Sequence, residues 1–116
     1  MAWMLAKYDF QVVELEKMSL AEQFNLIGNS DALVTPHGAA MAHSLFMPKS
    51  SLIVEMFAPT YINPCMLQTM QLLSHRYHMV ASYLNSGTKY AHGDDIEAAV
   101  LPVELAVSTW QSEQLK

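Results

Sequence analysis

The stretch DALVTPHGAAMAHSLFMPKSSLIVEMF, residues 31–57, decides the fold of this chain. Its two ends, residues 31–35 and residues 52–57, are short apolar runs of the length and β-branched content expected of buried strands. Residues 39–46 between them predict a short helix, which Pro48 ends. A strand, a helix and a second strand in this order form a right-handed crossover, so the two strands are expected to lie parallel in one sheet.

The turn between the first strand and the helix carries small residues, His37-Gly38-Ala39-Ala40. Gly38 permits a backbone angle or a close approach that a side chain would forbid. Ala39 and Ala40 leave room for a ligand at the first helical turn, where unpaired N–H groups and the helix dipole favour phosphate. His37 can donate a hydrogen bond to a phosphate oxygen or to a sugar hydroxyl. The alternative is a purely geometric turn in which His37 caps backbone groups.

Glu55 is the one carboxylate in the second strand, which is otherwise apolar. A buried carboxylate without a partner is costly, so Glu55 is expected either to have a partner or to face a cleft. In a cleft it can accept hydrogen bonds from ribose hydroxyls, as the acidic residue of dinucleotide-binding folds does. The alternative is an edge position that points to solvent. His37 and Glu55 both lie toward the carboxyl ends of their strands, where α/β sheets bind ligands, so a shared ligand is expected.

The sequence on either side continues the alternation of strands and helices. Ser19 and Glu22 form a capping box that starts a helix, and Gly28 is expected to end it in a left-handed conformation. The other predicted elements are strands at residues 10–15 and 78–84, a helix at residues 66–77 and a loop at residues 85–93. A last helix is predicted to start at a cap formed by Asp94 or Asp95 and to run toward Trp110, with a kink or break at Pro102. This order predicts a single three-layer, Rossmann-like α/β domain over residues 1–116, with a parallel sheet of about four strands.

Composition narrows the classes of function. The chain is 52% hydrophobic and 15% charged, which favours a folded domain with part of its surface intended for a partner or a neighbouring domain. The net charge is −5 and the six Lys and Arg residues are scattered, so no basic stripe exists for nucleic acid. No stretch approaches the roughly 18 apolar residues that span a membrane, and no signal peptide is expected. Cys65 is the only cysteine, so no intrachain disulfide can form.

Other reactive side chains do not predict a second site. His37 and His43 are six residues apart and fall on different faces of a helix. His75 and His78 have no cysteine or acidic cluster beside them, so no metal site is predicted. A Gly-x-Ser-x-Gly elbow and a P-loop lysine motif are both absent from the sequence, which argues against a hydrolase triad and against phosphoryl transfer.

The segments SLAEQFNLIGNSDALVTPHGAAMAHSLFMP and SLIVEMF, followed by Tyr61, Asn63 and Pro64, resemble glycosyltransferase family 61. This family includes plant xylosyltransferases and arabinosyltransferases, and animal O-linked mannose and EGF-domain N-acetylglucosaminyltransferases. The resemblance covers roughly residues 14–82 and rests on HGA, LF-x-P and V-E at this spacing as a set. It implies a GT-B architecture of two Rossmann-like domains, of which this chain resembles the C-terminal, donor-binding one.

The resemblance also implies the residues and the chemistry of the site. His37, Gly38 and Ala39 match the HGA motif, and Glu55 matches the strand glutamate. Many members continue with Gly-Leu-Thr-Asn where this chain has Ala40-Met41-Ala42-His43. The candidate donor-binding residues are His37, Gly38, Ala39, Ala40 and Glu55, with Thr35 and His43 as further candidates. The implied reaction is an inverting sugar transfer from a UDP-sugar to a glycan or protein acceptor, without a metal or another cofactor.

The expected partners are the nucleotide sugar, the acceptor and the N-terminal GT-B domain that this chain lacks. No catalytic base is assigned, and the missing domain is one place where that base can lie. Two alternatives remain open. One is a nucleotide- or phosphate-binding module that kept the fold without the chemistry, and the other is a small Rossmann-like enzyme that acts on another phosphorylated ligand.

Overall fold

A computed structural model describes residues 1–84, 96–97 and 99–115 of the chain. The helices are α1 (Ala2–Leu5), α2 (Leu20–Gly28), α3 (Leu67–Leu72) and α4 (Val100–Gln114), and the strands are β1 (Ala32–Pro36), β2 (Leu52–Phe57), β3 (Arg76–Ala81), β4 (Tyr83–Leu84) and β5 (Ile96–Glu97). Short 3₁₀ helices lie at Ala6–Tyr8, Leu15–Lys17 and Ala39–Phe46, the last of which we call the elbow helix. The predicted loop at residues 85–93 and the predicted caps Asp94 and Asp95 lie outside the described residues.

The first three strands form a parallel sheet with β2 in the centre. In the register of the sheet, Leu33 of β1 lies opposite Ile53 of β2, which lies opposite Tyr77 of β3. The elbow helix connects β1 to β2, and α3 connects β2 to β3. The parallel pairing predicted from residues 31–57 is therefore confirmed. Strands β4 and β5 form a separate antiparallel pair.

Helices pack on both faces of the parallel sheet. One face carries a core of Leu52, Val54 and Met56 from β2 with Val103, Val107 and Trp110 from α4. The other face carries Ile53 with Ile27, Met41, Met47 and Met70 from α2, the elbow helix and its end, and α3. Because side chains alternate along a strand, Glu55 is on the same face as Ile53. All six residues of β2 are buried, as expected of a central parallel strand that is covered on both faces.

The α/β class is confirmed, but a parallel sheet of four strands is not. The strand predicted at residues 10–15 is wrong, because residues 10–14 are irregular and a 3₁₀ turn follows at Leu15–Lys17. A β-prone run becomes a strand only when a neighbour completes its hydrogen bonds, and Val12 in this run is exposed. The strand predicted at residues 78–84 is present as β3 and β4, and β3 already begins at Arg76.

The predicted start of α2 is confirmed. Ser19 Oγ accepts a hydrogen bond from the Glu22 backbone N–H at 3.1 Å, and the Glu22 carboxylate accepts one from the Ser19 backbone N–H. The helix ends at Gly28 as predicted, but Gly28 lacks the positive φ of a left-handed cap. The helix predicted at residues 39–46 is present in the tighter 3₁₀ form.

Two predicted helices differ from the structure in their extent. The helix predicted at residues 66–77 ends at Leu72, because Ser74 adopts a φ of 59° and turns the chain into β3. The predicted break at Pro102 is wrong. Helix α4 begins at Val100, so Pro102 lies in the first turn, where a missing N–H removes no helical hydrogen bond. Within the described ranges, no helix is long and apolar enough to cross a bilayer.

Candidate functional site

The turn after β1 is held by the backbone of β2. The N–H of His37 donates to the carbonyl oxygen of Met56 at 2.7 Å. Gly38 follows with φ 157° and ψ −164°, a combination that is almost confined to glycine. A Cβ added at Gly38 would meet no atom within 4 Å, so the backbone angle, rather than a close approach, requires glycine here. The elbow helix begins at Ala39, and among the described side chains none caps its first turn.

We expect Gly38→Ala to lower the free energy of unfolding by about 1–3 kcal/mol, because alanine rarely adopts this conformation. Gly28→Ala is the matched control. A Cβ at Gly28 would meet only the Phe46 carbonyl oxygen at an ordinary 3.6 Å, and alanine is favoured in a helix by up to about 1 kcal/mol. Urea unfolding of the two variants and the parent measures the difference. A loss of stability in Gly28→Ala as large as that in Gly38→Ala would contradict the conformational explanation.

His37 and Glu55 contact each other directly. Glu55 is fully buried, and its Oε2 lies 2.6 Å from Nδ1 of His37. The His37 side chain is 19% exposed, so the ring lies at the surface while the carboxylate behind it is shielded from water. The alternative that Glu55 points to solvent is therefore wrong. The structure instead gives Glu55 the hydrogen-bond partner that a buried carboxylate requires.

Tyr77 of β3 contacts the other oxygen of this carboxylate. Its hydroxyl donates to Oε1 of Glu55. Burial raises the pKa of Tyr77, and the hydrogen bond to Glu55 and the charge of Glu55 raise it further. The phenol therefore stays protonated, and can donate, throughout the physiological pH range. Side chains from the elbow and from β3 thus each contact one oxygen of Glu55.

Aromatic side chains fix the plane of the His37 ring. The buried ring of Phe57 stacks on it, with centroids 5.0 Å apart and planes at 25°. Tyr61, in the loop after β2, lies tilted at 5.9 Å. With Nδ1 held by Glu55, these contacts leave the ring little freedom to rotate. His37 is therefore pre-organised before any ligand arrives.

Three further candidates lie in a cleft beside the elbow. This cleft has a volume of about 350 Å³, and Thr35, Ala40 and His43 line it together with Glu16 and Gln23. His43 is only 9% exposed, and neither of its ring nitrogens has a hydrogen-bond partner. A buried imidazole without partners is costly, so a group that enters the cleft and bonds to it would be favoured.

The sequence found part of this site and missed the rest. His37 and Glu55 were expected to share a ligand, and the structure shows that they bond to each other. Tyr77 was missed because the sequence assigned it to a helix end. Its place beside Glu55 depends on the β2–β3 register, which pairs Glu55 with Met79 and places Tyr77 two residues earlier on the same face. The stacking partner Phe57 was assigned only to the strand.

The other histidines serve local contacts or face solvent. His75 is buried, and its Nε2 bonds to the Ser44 carbonyl oxygen at 3.0 Å, whereas His78 is exposed. Cys65 is exposed, and its backbone N–H donates to the side chain of Asn63. In the part of the chain that the structure describes, no three His, Cys, Asp or Glu side chains gather as metal ligands. A reaction without a metal stays a prediction.

The segment that forms the elbow matches a known protein family. A family model described as glycosyltransferase 61 matches residues 1–54. Residues 1–54, just under half of the chain, are therefore similar to glycosyltransferase family 61. The glycosyltransferase 61 segment contains β1, the elbow helix and β2 as far as Val54. It starts and ends earlier than the resemblance had predicted, so Glu55 and Tyr77 lie beyond it.

Curated relatives agree with this family. Fifty-two residues are 46% identical to protein O-linked-mannose beta-1,4-N-acetylglucosaminyltransferase 2 of Xenopus tropicalis, and 38% identical to the Homo sapiens protein of that name. Fifty-one residues are 37% identical to the EGF domain-specific O-linked N-acetylglucosamine transferase of Drosophila melanogaster. These alignments cover 44–45% of this chain and 9–10% of each relative. The chain therefore spans only a small part of the curated relatives that it matches.

No solved structure gives a significant match. The relatives are named as glycosyltransferases, which supports the expected transferase class.

Proposed function

We propose that this chain is the donor-binding part of a family 61 glycosyltransferase and that it holds a nucleotide sugar at the elbow. One observation carries the proposal. The buried Glu55 holds the His37 ring beside the uncapped start of the elbow helix. This place lies at the carboxyl ends of β1 and β2, where parallel α/β sheets bind ligands. A histidine beside unpaired backbone N–H groups suits an anionic group such as a diphosphate.

In this proposal the elbow acts on the leaving group. The bond between the anomeric carbon and the diphosphate oxygen breaks while an acceptor hydroxyl oxygen bonds to that carbon from the opposite face, which inverts the configuration. Negative charge then develops on the leaving diphosphate. Backbone N–H groups of the elbow helix stabilise that charge. An imidazolium at His37, with one proton on Nδ1 facing Glu55 and a second on Nε2 facing the diphosphate, stabilises it further, which supports a reaction without a metal. The proton of the acceptor hydroxyl passes to a base outside the described residues.

The cleft beside the elbow is proposed to hold another part of the donor. Its volume of about 350 Å³ lies within the range of small-molecule sites. Thr35 and Ala40 line both the cleft and the turn that contains His37, so one ligand can reach both places. The relatives are named as N-acetylglucosaminyltransferases, which favours UDP-N-acetylglucosamine as the donor.

The acceptor site is proposed to lie outside this chain. A three-stranded parallel sheet with helices on both faces is compatible with one Rossmann-like half of a GT-B enzyme. The relatives are about ten times longer than the matched segment, so they have room for a second half. We propose that an N-terminal domain supplies the acceptor site and the catalytic base, and that this chain alone binds the donor without transferring the sugar.

We expect the chain to bind UDP at least about tenfold more tightly than uridine. Only UDP carries the diphosphate, and a factor of ten corresponds to about 1.4 kcal/mol, which is within reach of one hydrogen bond to a charged group. Titration calorimetry measures both affinities, and circular dichroism confirms that the chain is folded. Equal affinities, or no heat with either compound, would contradict a donor site at the elbow. Nucleotide binding by a full-length enzyme that transfers no sugar would favour the binding module without chemistry.

A further inference from the structure

Tyr77 lies outside the segment that matches the family, yet it contacts the carboxylate that holds His37. The three side chains form a chain of hydrogen bonds that runs from the tyrosine hydroxyl through Glu55 to Nδ1 of the imidazole. Its members come from β3, β2 and the elbow, so these hydrogen bonds cross the sheet from Tyr77, near the start of β3, to the elbow that follows β1. Because Glu55 is fully buried, no water competes for its oxygens.

The direction of these hydrogen bonds follows from the donors available. A tyrosine hydroxyl has one proton, and here it donates that proton to Oε1 of Glu55. Donation by Tyr77 stabilises a negative charge on the carboxylate, which makes Oε2 an acceptor as well. Nδ1 of His37 lies 2.6 Å from Oε2 and must then carry the proton between them. A proton on Nδ1 is one of the two forms that a neutral imidazole can take.

We propose that Tyr77 is a positioning residue that acts on His37 through Glu55. By holding Glu55 as a doubly hydrogen-bonded carboxylate, Tyr77 keeps the proton of the His37 ring on Nδ1. A contact with the donor diphosphate is then made through Nε2, which donates when the ring takes a second proton there and becomes the imidazolium that Glu55 stabilises. The role toward the donor rests on the proposed function, but the state of the ring does not.

The substitution Tyr77→Phe tests this inference, because it keeps the aromatic ring that packs against the Ile53 core cluster and removes only the hydroxyl. The matched control is Tyr8→Phe. Tyr8 also donates to a glutamate, Glu104, but this pair joins the N-terminal region to α4. Both variants lose one tyrosine–glutamate hydrogen bond. Only the first is expected to change the state of His37.

Nitrogen-15 NMR of the His37 ring is the decisive measurement, because the shifts of Nδ1 and Nε2 report which nitrogen carries the proton. We expect the Nδ1–H form to dominate in the parent and in Tyr8→Phe. In Tyr77→Phe, we expect that form to fall by at least about a fifth and the affinity for UDP to fall about threefold to tenfold. Uridine binding is expected to stay unchanged.

The possible results separate this inference from the proposed function. An Nε2–H form in the parent overturns the inference without any variant, and so does a His37 signal that Tyr77→Phe leaves unchanged. A shift of the His37 signal with no UDP binding in the parent supports the positioning of the ring and overturns the donor site. A shift of the signal with unchanged UDP affinity overturns the role of Tyr77 toward the donor.

Discussion

Replacement of His37 by alanine is expected to weaken UDP binding by at least about tenfold and by up to about 100-fold. Among the described residues, His37 is the only histidine whose ring bonds to a fully buried carboxylate, and it lies at the elbow. A hydrogen bond to a charged group contributes about 1.5–3 kcal/mol, and each 1.4 kcal/mol is a factor of ten in affinity. The same loss is expected for UDP-N-acetylglucosamine, because both ligands carry the diphosphate.

The experiment uses titration calorimetry of the 116-residue chain with each nucleotide. His78→Ala is the matched control, since His78 is an exposed histidine on β3. Its removal takes away the same imidazole without touching the elbow, so UDP affinity is expected to stay within about twofold of the parent. Both variants are first shown to be folded by circular dichroism. Equal losses in the two variants would mean that general charge, rather than the elbow, governs nucleotide binding.

What the sequence predicted well is local in character. The Ser19 capping box, the strand at residues 52–57 and the glycine turn each depend on residues that are close together along the chain. Their hydrogen bonds and backbone angles follow from the residue types at fixed spacing. For the same reason Glu55 was recognised as unusual, because a single carboxylate in an apolar strand needs an explanation wherever the strand lies.

What the sequence missed depends on which segments meet. The run at residues 10–15 has the composition of a strand, but strand formation needs a partner at the right distance. Tyr77 reaches Glu55 only because β3 pairs with β2 in one register, and a shift of one residue would turn Tyr77 to the other face. Pro102 was read as a break because its position relative to the start of α4 was unknown. In these cases tertiary contacts, not local preference, decide the outcome.

Substitutions of Glu55 are expected to separate stability from nucleotide binding. Glu55→Ala removes the partner of both His37 and Tyr77 and leaves a cavity in the middle of β2, so a loss of about 3–4 kcal/mol of unfolding free energy is expected. Glu55→Gln keeps the volume and one acceptor oxygen, and about 1–2 kcal/mol is expected to be lost. Glu104→Gln is the matched control, because Glu104 accepts from Tyr8 at a partly exposed position on α4.

Nucleotide binding is expected to respond differently from stability. The amide of Gln has one acceptor oxygen and one NH₂ group, so it cannot accept from both Tyr77 and Nδ1 of His37. If its oxygen accepts from Tyr77, its NH₂ group faces Nδ1 and keeps that nitrogen unprotonated, so the ring cannot become the imidazolium that contacts the diphosphate. Glu55→Gln should therefore weaken UDP binding about tenfold or more, close to the loss in His37→Ala, although its fold is only mildly destabilised. Calorimetry on the folded Glu55→Gln protein measures this affinity. A UDP affinity equal to that of the parent would show that the carboxylate supports only the fold. It would also show that the state of the His37 ring does not matter for donor binding.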